Sequence, residues 1–253
     1  MKVVATVEAR MTSSRLPGKA LAPILGRPAL AHLLRRLQRA GGVDDIVVAT
    51  TVHPVDEAIE TLARHCGVRC YRGSEDDVMG RVVEAGASAD ADVLVEITGD
   101  CILLAPEVID EALGIYRRSG YDVVSNTWKL TYPQGVDVQV FAWSLLAEAA
   151  GQTTDSDHRE HVSLYFYEHP ERYRIYHLEA PSAFRAPEWR FQLDYPEDLQ
   201  FITAVYEALY PTNPDFTLQD IFTLLRQRPE LRRLNAQMKE KPIRGRCEPI
   251  APG

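Results

Sequence analysis

Hydrophobic and polar positions along the first 126 residues switch repeatedly between two periods. "KVVATVEA" (2–9), "DIVVATT" (45–51), "GVRCYRG" (67–73), "ADVLVEITGD" (91–100) and "YDVVSN" (121–126) are short apolar or β-branched runs, the length and makeup of buried parallel strands. Between them, Leu30, Leu33, Leu34 and Leu37 fall at i, i+3, i+4 and i+7 behind Pro28 and before Gly41-Gly42, and Val55, Ala58, Ile59 and Leu62 share a face behind Pro54. "SEDDVMGRVVEAG" (74–86) reads as a helix capped by Ser74 with an acidic first turn, and "PEVIDEALGIYRRSG" (106–120) as a fourth helix. Alternating strands and helices with short connections predict an α/β three-layer sandwich, a mostly parallel Rossmann-like sheet wrapped on both faces.

The alternation weakens after Asn126. "WKLTYPQGVDVQVF" (128–141), "YRIYHLEA" (173–180) and "WRFQLDY" (189–195) look extended, with helices expected at 142–150, 158–168, 196–209 and 217–227. The expected organisation is one domain over 1–228, in which 127–190 is an insertion that caps the substrate pocket. Its Trp128, Tyr132, Phe141, Trp143, Tyr165, Phe166 and Tyr167 suit a homodimer interface or the cap's own core. The charged, Pro-rich 229–253 is expected to be a flexible tail.

Composition narrows the function. A net charge of −8 argues against nucleic acid and anionic membranes as partners, since both call for a basic surface. No apolar stretch approaches the roughly 18 residues of a membrane span, and "MKVVATV" lacks a leader pattern, so a cytoplasmic protein is expected. Cys66, Cys70, Cys101 and Cys247 have no C-x-x-C spacing and read as reduced thiols rather than a zinc site.

Against that acidic balance, "EARMTSSRLPGK" (8–19) gathers Arg10, Arg15 and Lys19 with Thr12, Ser13 and Ser14 at the carboxyl end of the first strand. Ligands of open parallel sheets bind at that edge. Arginine forks, a lysine point charge and hydroxyls together suit a polyphosphate; the alternative is a solvated basic loop. Neither G-x-x-x-x-G-K-[ST] nor G-x-G-x-x-G is present. Asp100 closes the fourth strand at the same edge, where a carboxylate can anchor a divalent ion that keeps phosphate and water as its other ligands, or cap a turn before Pro106. Asp194 precedes a proline-started helix and reads from spacing alone equally as a helix-terminus carboxylate.

"ARMTSSRLPGK", "DIVVATT", "YRGSEDDVMGR", "EITGDC", "YPQGVDVQVF", "REHV" and "LDYPEDL" occur in one order across roughly residues 1–210. That order resembles the cytidylyltransferases that activate sugar acids, the CMP-3-deoxy-manno-octulosonate and CMP-sialate synthetases, and most nearly their spore-coat-polysaccharide branch. The resemblance implies a nucleotidyltransferase fold and Mg²⁺-dependent transfer of CMP from CTP to a small acidic or sugar-acid acceptor, with pyrophosphate released. It assigns nucleotide binding to Ala9, Arg10, Ser14, Arg15 and Lys19, base and ribose contacts to Arg72, Ser74 and Asp77, and metal binding to Asp100 and Asp194. Arg10, Lys19 and Asp100 become the expected catalytic residues. Tyr132, Gly135, Asp137, Arg159, Glu160 and His161 become the expected acceptor side, although a structural hairpin explains the first three as well.

This chain departs from the pattern at Glu8, where the relatives carry glutamine, at Thr12 in place of glycine, and at Ala105 in place of a carboxylate. These changes bear on the acceptor. The alternative is a nucleotide-sugar-dependent glycosyltransferase of similar fold, for which Asp90-Ala91-Asp92 and Asp155-Ser156-Asp157 are the candidate D-x-D metal motifs.

Overall fold

The computed structural model describes residues 1–246. Strand β1 (Val3–Glu8) lies at the centre of a seven-stranded sheet, flanked by β4 (Asp45–Thr51) and β6 (Val93–Thr98). Outward from β4 comes β5 (Arg69–Gly73); outward from β6 come β8 (Gln139–Ala142), β7 (Val123–Ser125) and β9 (Ile175–His177). Only β8 runs antiparallel to its neighbours β6 and β7. A separate hairpin pairs β2 (Pro23–Ile24) with β3 (Arg27–Pro28).

Both faces are covered, which is why β1 is apolar almost throughout. Val3, Ala5 and Val7 point into one core and Val4 into the other. The first core includes α1 (Ala29–Leu37), whose Leu30, Leu33, Leu34 and Leu37 are completely buried. Burial on that scale contributes about 2 kcal/mol per leucine as an upper figure. α2 (Glu57–His65) and α4 (Pro106–Ser119) also feed this core, as do α8 (Pro196–Leu209) and α9 (Leu218–Gln227). α3 (Val78–Ser88) and α5 (Trp143–Gln152) cover the opposite face with the five-residue turns α6 (Ser156–Glu160) and α7 (Leu164–Glu168). Buried Arg36 ties the first layer together, donating to the carbonyls of Leu104 and Phe216 at 2.7 and 3.0 Å.

The expected strands and helices of the first 126 residues are all present. Asp77, not Ser74, caps α3 by accepting from Gly80 N at 2.8 Å, while the Ser74 hydroxyl accepts from Asp77 N. The helix expected over 158–168 is broken at His161–Ser163 into α6 and α7. The stretch 189–195 forms a single bridge, Gln134 with Arg190, rather than a strand. Residues 127–190 supply β8 and β9 to the main sheet. Tyr132, Phe141, Tyr165 and Phe166 are buried in the chain's own two cores, while Trp128, Trp143 and Tyr167 are partly exposed.

The expectation of a tail from 229 onward is corrected over its described part. Pro229–Leu234 forms a 3₁₀ turn with Leu231 buried, and the buried Asn235 amide donates to Arg190 O at 3.0 Å and to Asp198 Oδ1 at 2.8 Å. Residues 247–253, including Cys247, lie outside the described residues. Among the described residues no helix is long and apolar enough to cross a membrane. Cys66, Cys70 and Cys101 are free thiols.

Candidate active site

The parallel strands β1 and β6 end in register, Glu8 opposite Thr98. Gly99 then passes so close to the Glu8 carbonyl that a Cβ there would collide with it, and its N–H donates to that oxygen at 2.8 Å. Glycine at this crossing brings Asp100 beside the first loop. The loop is held from both ends: Met11 N donates to buried Asp56 at 2.8 Å, and Gly18 N to Met11 O at 2.9 Å. Lys19 follows in a 3₁₀ turn.

From there Lys19 Nζ donates to Asp100 Oδ2 at 2.9 Å and to Asp194 Oδ1 at 2.8 Å. Arg15 reaches the same Asp194 oxygen at 2.6 Å, and Arg190 donates to its other oxygen at 2.8 Å. Burial alone would raise the Asp194 pKa; Lys19 and Arg15 outweigh it and hold the carboxyl well below the usual range. Burial lowers Lys19, but Asp100 and Asp194 reverse that and raise it. Lys19 is 17% exposed, Asp100 16% and Asp194 3%, so Lys19 is an inward group rather than part of a solvated basic loop.

Asp194 sits just before α8. Asp198 in the first turn accepts from the backbone N–H groups of Asp194 and Tyr195 at 2.9 and 3.0 Å and from Arg190 Nε at 3.0 Å. Arg190, Asp198 and Asn235 thus form a buried frame that fixes the Asp194 carboxylate. Arg190 and Asn235 carry no mark in the sequence that would single them out. Their spacings of 8 and 37 residues from Asp198 carry no periodic signal.

These groups open onto a cavity of about 330 Å³. Ala9, Arg10, Ser14, Arg15, Lys19 and Asp100 line it from the first loop and the end of β6, with Asp194 beside them. Asp137, Glu160 and His161 line it from the later segment. Arg10 pairs there with Glu160 at 3.4 Å. Glu8 and Glu96 both lie at the cavity, and Gln139 donates its amide to Glu96. Burial raises both carboxyls above the usual range. Burial also pushes Asp137 up to about 7, reinforced by Glu240, and lowers His161.

The structure does not bring the remaining expected residues to this cavity. Arg72 donates to the carbonyls of Thr51 and His53 at 3.0 and 2.9 Å and pairs with Glu60, joining the ends of β4 and β5. Ser74 and Asp77 are occupied in the α3 cap, and Asp77 also pairs with Arg159 at 3.2 Å. Arg159 spends its other nitrogen on the carbonyls of Ala150 and Thr153. Tyr132 is buried in the first core. Gly135 has φ +95° with a hypothetical Cβ only 2.7 Å from Gln192 N, so it serves the close approach at the Gln134–Arg190 bridge. Ala105 is buried at the start of α4, in the core rather than the cavity.

Neither D-x-D motif faces the cavity lining. Asp92 accepts from Lys2 N and the N-terminal amine before β6, the opposite end from Asp100, and Asp155 and Asp157 pair with Arg244. Among the described residues no group of three or more His, Cys, Asp or Glu is placed to hold a metal. A metal here would rest on two carboxylates and on groups from outside the chain.

A parallel sheet with one reversed strand, covered by helices on both faces and carrying a cationic loop at its carboxyl edge, defines an α/β protein of the nucleotidyltransferase fold. A cytidylyltransferase of Leptospira borgpetersenii shares it with a TM-score of 0.85 at 27% identity, over 91% of this chain and 96% of that one. The chain belongs to the cytidylyltransferase family, whose model matches residues 4–221. It is therefore a nucleotidyltransferase enzyme. It is 33% identical over 229 residues to the spore coat polysaccharide biosynthesis protein SpsF of Bacillus subtilis, covering 88% of this chain and 94% of that protein. A shorter match, 38% over 113 residues and 45% and 44% of the two chains, is to a 3-deoxy-manno-octulosonate cytidylyltransferase of Geobacter metallireducens.

Proposed function

We propose that the enzyme transfers CMP from CTP to a small acidic acceptor of the sugar-acid class, releasing pyrophosphate, in the assembly of a surface polysaccharide. The observation that carries the reading is the convergence of Lys19, Arg15, Asp100 and Asp194, from three distant segments, at the carboxyl edge of the sheet. A bond forms from the acceptor oxygen to the α-phosphorus, the bond to the bridging oxygen breaks, and pyrophosphate leaves with that electron pair. Arg10, Arg15 and Lys19 meet the charge that gathers on it, an electrostatic task that requires no covalent intermediate.

The pair Asp100 and Asp194 fits a hard divalent ion: both offer carboxylate oxygens, and the Lys19 ammonium between them stands in for a cation. Mg²⁺ held there would supply charge neutralisation on the phosphate oxygens. With a triphosphate bound, Lys19 would be free to meet its phosphates, and Asp100 and Asp194 would be the residues that hold the ion. Similarity to a 3-deoxy-manno-octulosonate cytidylyltransferase supports the acid class of the acceptor, and CTP as substrate goes with a cytoplasmic place of work. A homodimer completes the reading, and a monomeric mass by light scattering would remove it.

The test is pyrophosphate release with Mg²⁺ from CTP and from UTP, each with 3-deoxy-manno-octulosonate and N-acetylneuraminate. Release with CTP, at a higher specificity constant than with UTP, is expected. Thermal protection should follow the logarithm of CTP concentration. No melting shift with any nucleoside triphosphate at millimolar concentration would sink the nucleotide site itself.

A further inference from the structure

The family model ends at residue 221, but the cavity is finished by residues beyond it: Glu240, Lys241, Ile243 and Arg246 line its wall. The segment that carries them is fixed to the body at several points. Tyr195 Oη donates to Lys239 O at 3.4 Å, and Gly245 packs against the Trp128 ring, itself stacked on Tyr167 at 4.6 Å. Arg244 is the strongest tie. It pairs with Asp155 and Asp157 at 3.0 and 3.2 Å, and with both oxygens of Glu168 at 2.8 and 2.9 Å.

Within this segment Arg246 turns inward, 11% exposed, and pairs with Glu240. Both groups act on Asp137 and His161, which places them on the acceptor side of the cavity as read above. The other cations of the wall are engaged elsewhere. Arg15 and Lys19 face Asp194, Arg10 faces Glu75 and Glu160, and Arg81 donates to the carbonyls of Ala49, Ser74 and Glu75. Lys241 is exposed to solvent. The acidic groups that line the cavity with them are Glu8, Glu96, Asp137 and Glu160. A negatively charged substituent entering there meets the inward guanidinium of Arg246, whose partner Glu240 is a carboxylate that a substrate carboxylate can replace.

We infer that residues 239–246 are a strap forming the acceptor-side wall, in which Arg246 exchanges Glu240 for the carboxylate of the acceptor and Arg244 is the latch that positions it. This rests on the proposed acidic acceptor, and the experiment separates the two. With CTP and the probes 3-deoxy-manno-octulosonate and N-acetylneuraminate, Arg246→Ala should raise KM for the acid tenfold or more while KM for CTP stays within twofold. Arg246→Lys should recover part of the loss. Glu240→Gln, which removes the competing charge, should lower KM for the acid, a change in the favourable direction that a merely structural contact would not give. Arg244→Ala should raise KM for the acid and speed tryptic cleavage after Lys239 in the full-length protein.

Turnover by Arg246→Ala with an unchanged acid KM would overturn the inference and leave the acidic acceptor standing. A parallel rise of both KM values, with Glu240→Gln neutral, would reduce the strap to a structural element and overturn it as well. No pyrophosphate release by the wild-type enzyme with either acid, while CTP still raises its melting temperature, would remove the acidic acceptor and this inference with it.

Discussion

Lys19 and Asp194 stand 175 positions apart in the chain, and their charged atoms lie 2.8 Å apart. The contact joins the loop after the first strand to the residue before α8, so one ion pair closes the site across most of the protein's length. Because Lys19 also bridges to Asp100, its loss leaves two carboxylates facing each other without a cation between them. Lys19→Met should therefore cost about 2 kcal/mol of stability, less than a fully buried pair because the group is partly exposed. It should lower turnover at least 10²-fold, as loss of one group that stabilises charge in the transition state does. Urea unfolding and pyrophosphate release check the two halves; an unchanged unfolding midpoint would contradict the first.

Asp100→Asn and Asp194→Asn should each reduce turnover on the order of 10²-fold, and the double variant should lose far less than the product because the two act as a unit. Their effects on stability should diverge. Asp194 faces Arg15, Lys19 and Arg190 and is almost fully buried, while Asp100 keeps its Thr98 contact and faces Lys19 alone among cations. The melting temperature of Asp194→Asn should fall further than that of Asp100→Asn, and equal melting temperatures would count against this account of the site.

Asp198→Ala removes the acceptor for two backbone N–H groups and one of the two counterions of buried Arg190. Breaking such a network from one side costs about 3–5 kcal/mol. Calorimetric unfolding of the variant measures it, and a loss below about 1 kcal/mol would show that Arg190 finds another partner.

Asp137 gives a pH signature. Its folded-state pKa of about 7 lies above the ordinary carboxylate value, so between about pH 4 and 7 the native state holds a proton that the unfolded chain has released. Stability from this group is present below that window and is lost as pH rises through it. Asp137→Asn removes the dependence, so the variant should gain on the wild type by about 1–3 kcal/mol between pH 4 and pH 8. Paired melting curves at the two pH values test it, and a constant difference would refute it.

The order of elements up to Asn126 was legible because parallel strands buried on both faces are apolar runs and their covering helices repeat every 3.6 residues. Asp100, Lys19 and Arg15 were legible for a related reason: the carboxyl ends of such strands are known once the strands are. The second half resists the same reading. In 128–141 the alternation extends over fourteen residues, yet only Gln139–Ala142 pairs as a strand. Before it the backbone is satisfied by the Asn126 side chain, which donates to Val136 O at 2.6 Å and accepts from Val138 N at 2.9 Å. An amide side chain taking the place of a neighbouring strand leaves no periodic trace. Arg72, Arg159 and Asp77 show the opposite difficulty, since a charged side chain beside a strand end reads alike whether it meets a ligand or holds a partner within the chain.

The frame of Arg190, Asp198 and Asn235, together with the wall at 240–246, also sets an order of events during synthesis. The N-terminal loop and the first six strands in sequence leave the ribosome long before the residues that hold Asp194 and finish the cavity, and domains begin to assemble from that end. A nascent chain therefore carries Arg15 and Lys19 without the carboxylate they will share. Emergence of Asp194 is the moment at which the first loop acquires that shared counter-charge, and a premature stop after α9, which keeps Asp194 and Asp198 but removes Asn235, should yield a chain that retains the sheet while leaving the frame around Asp194 one partner short.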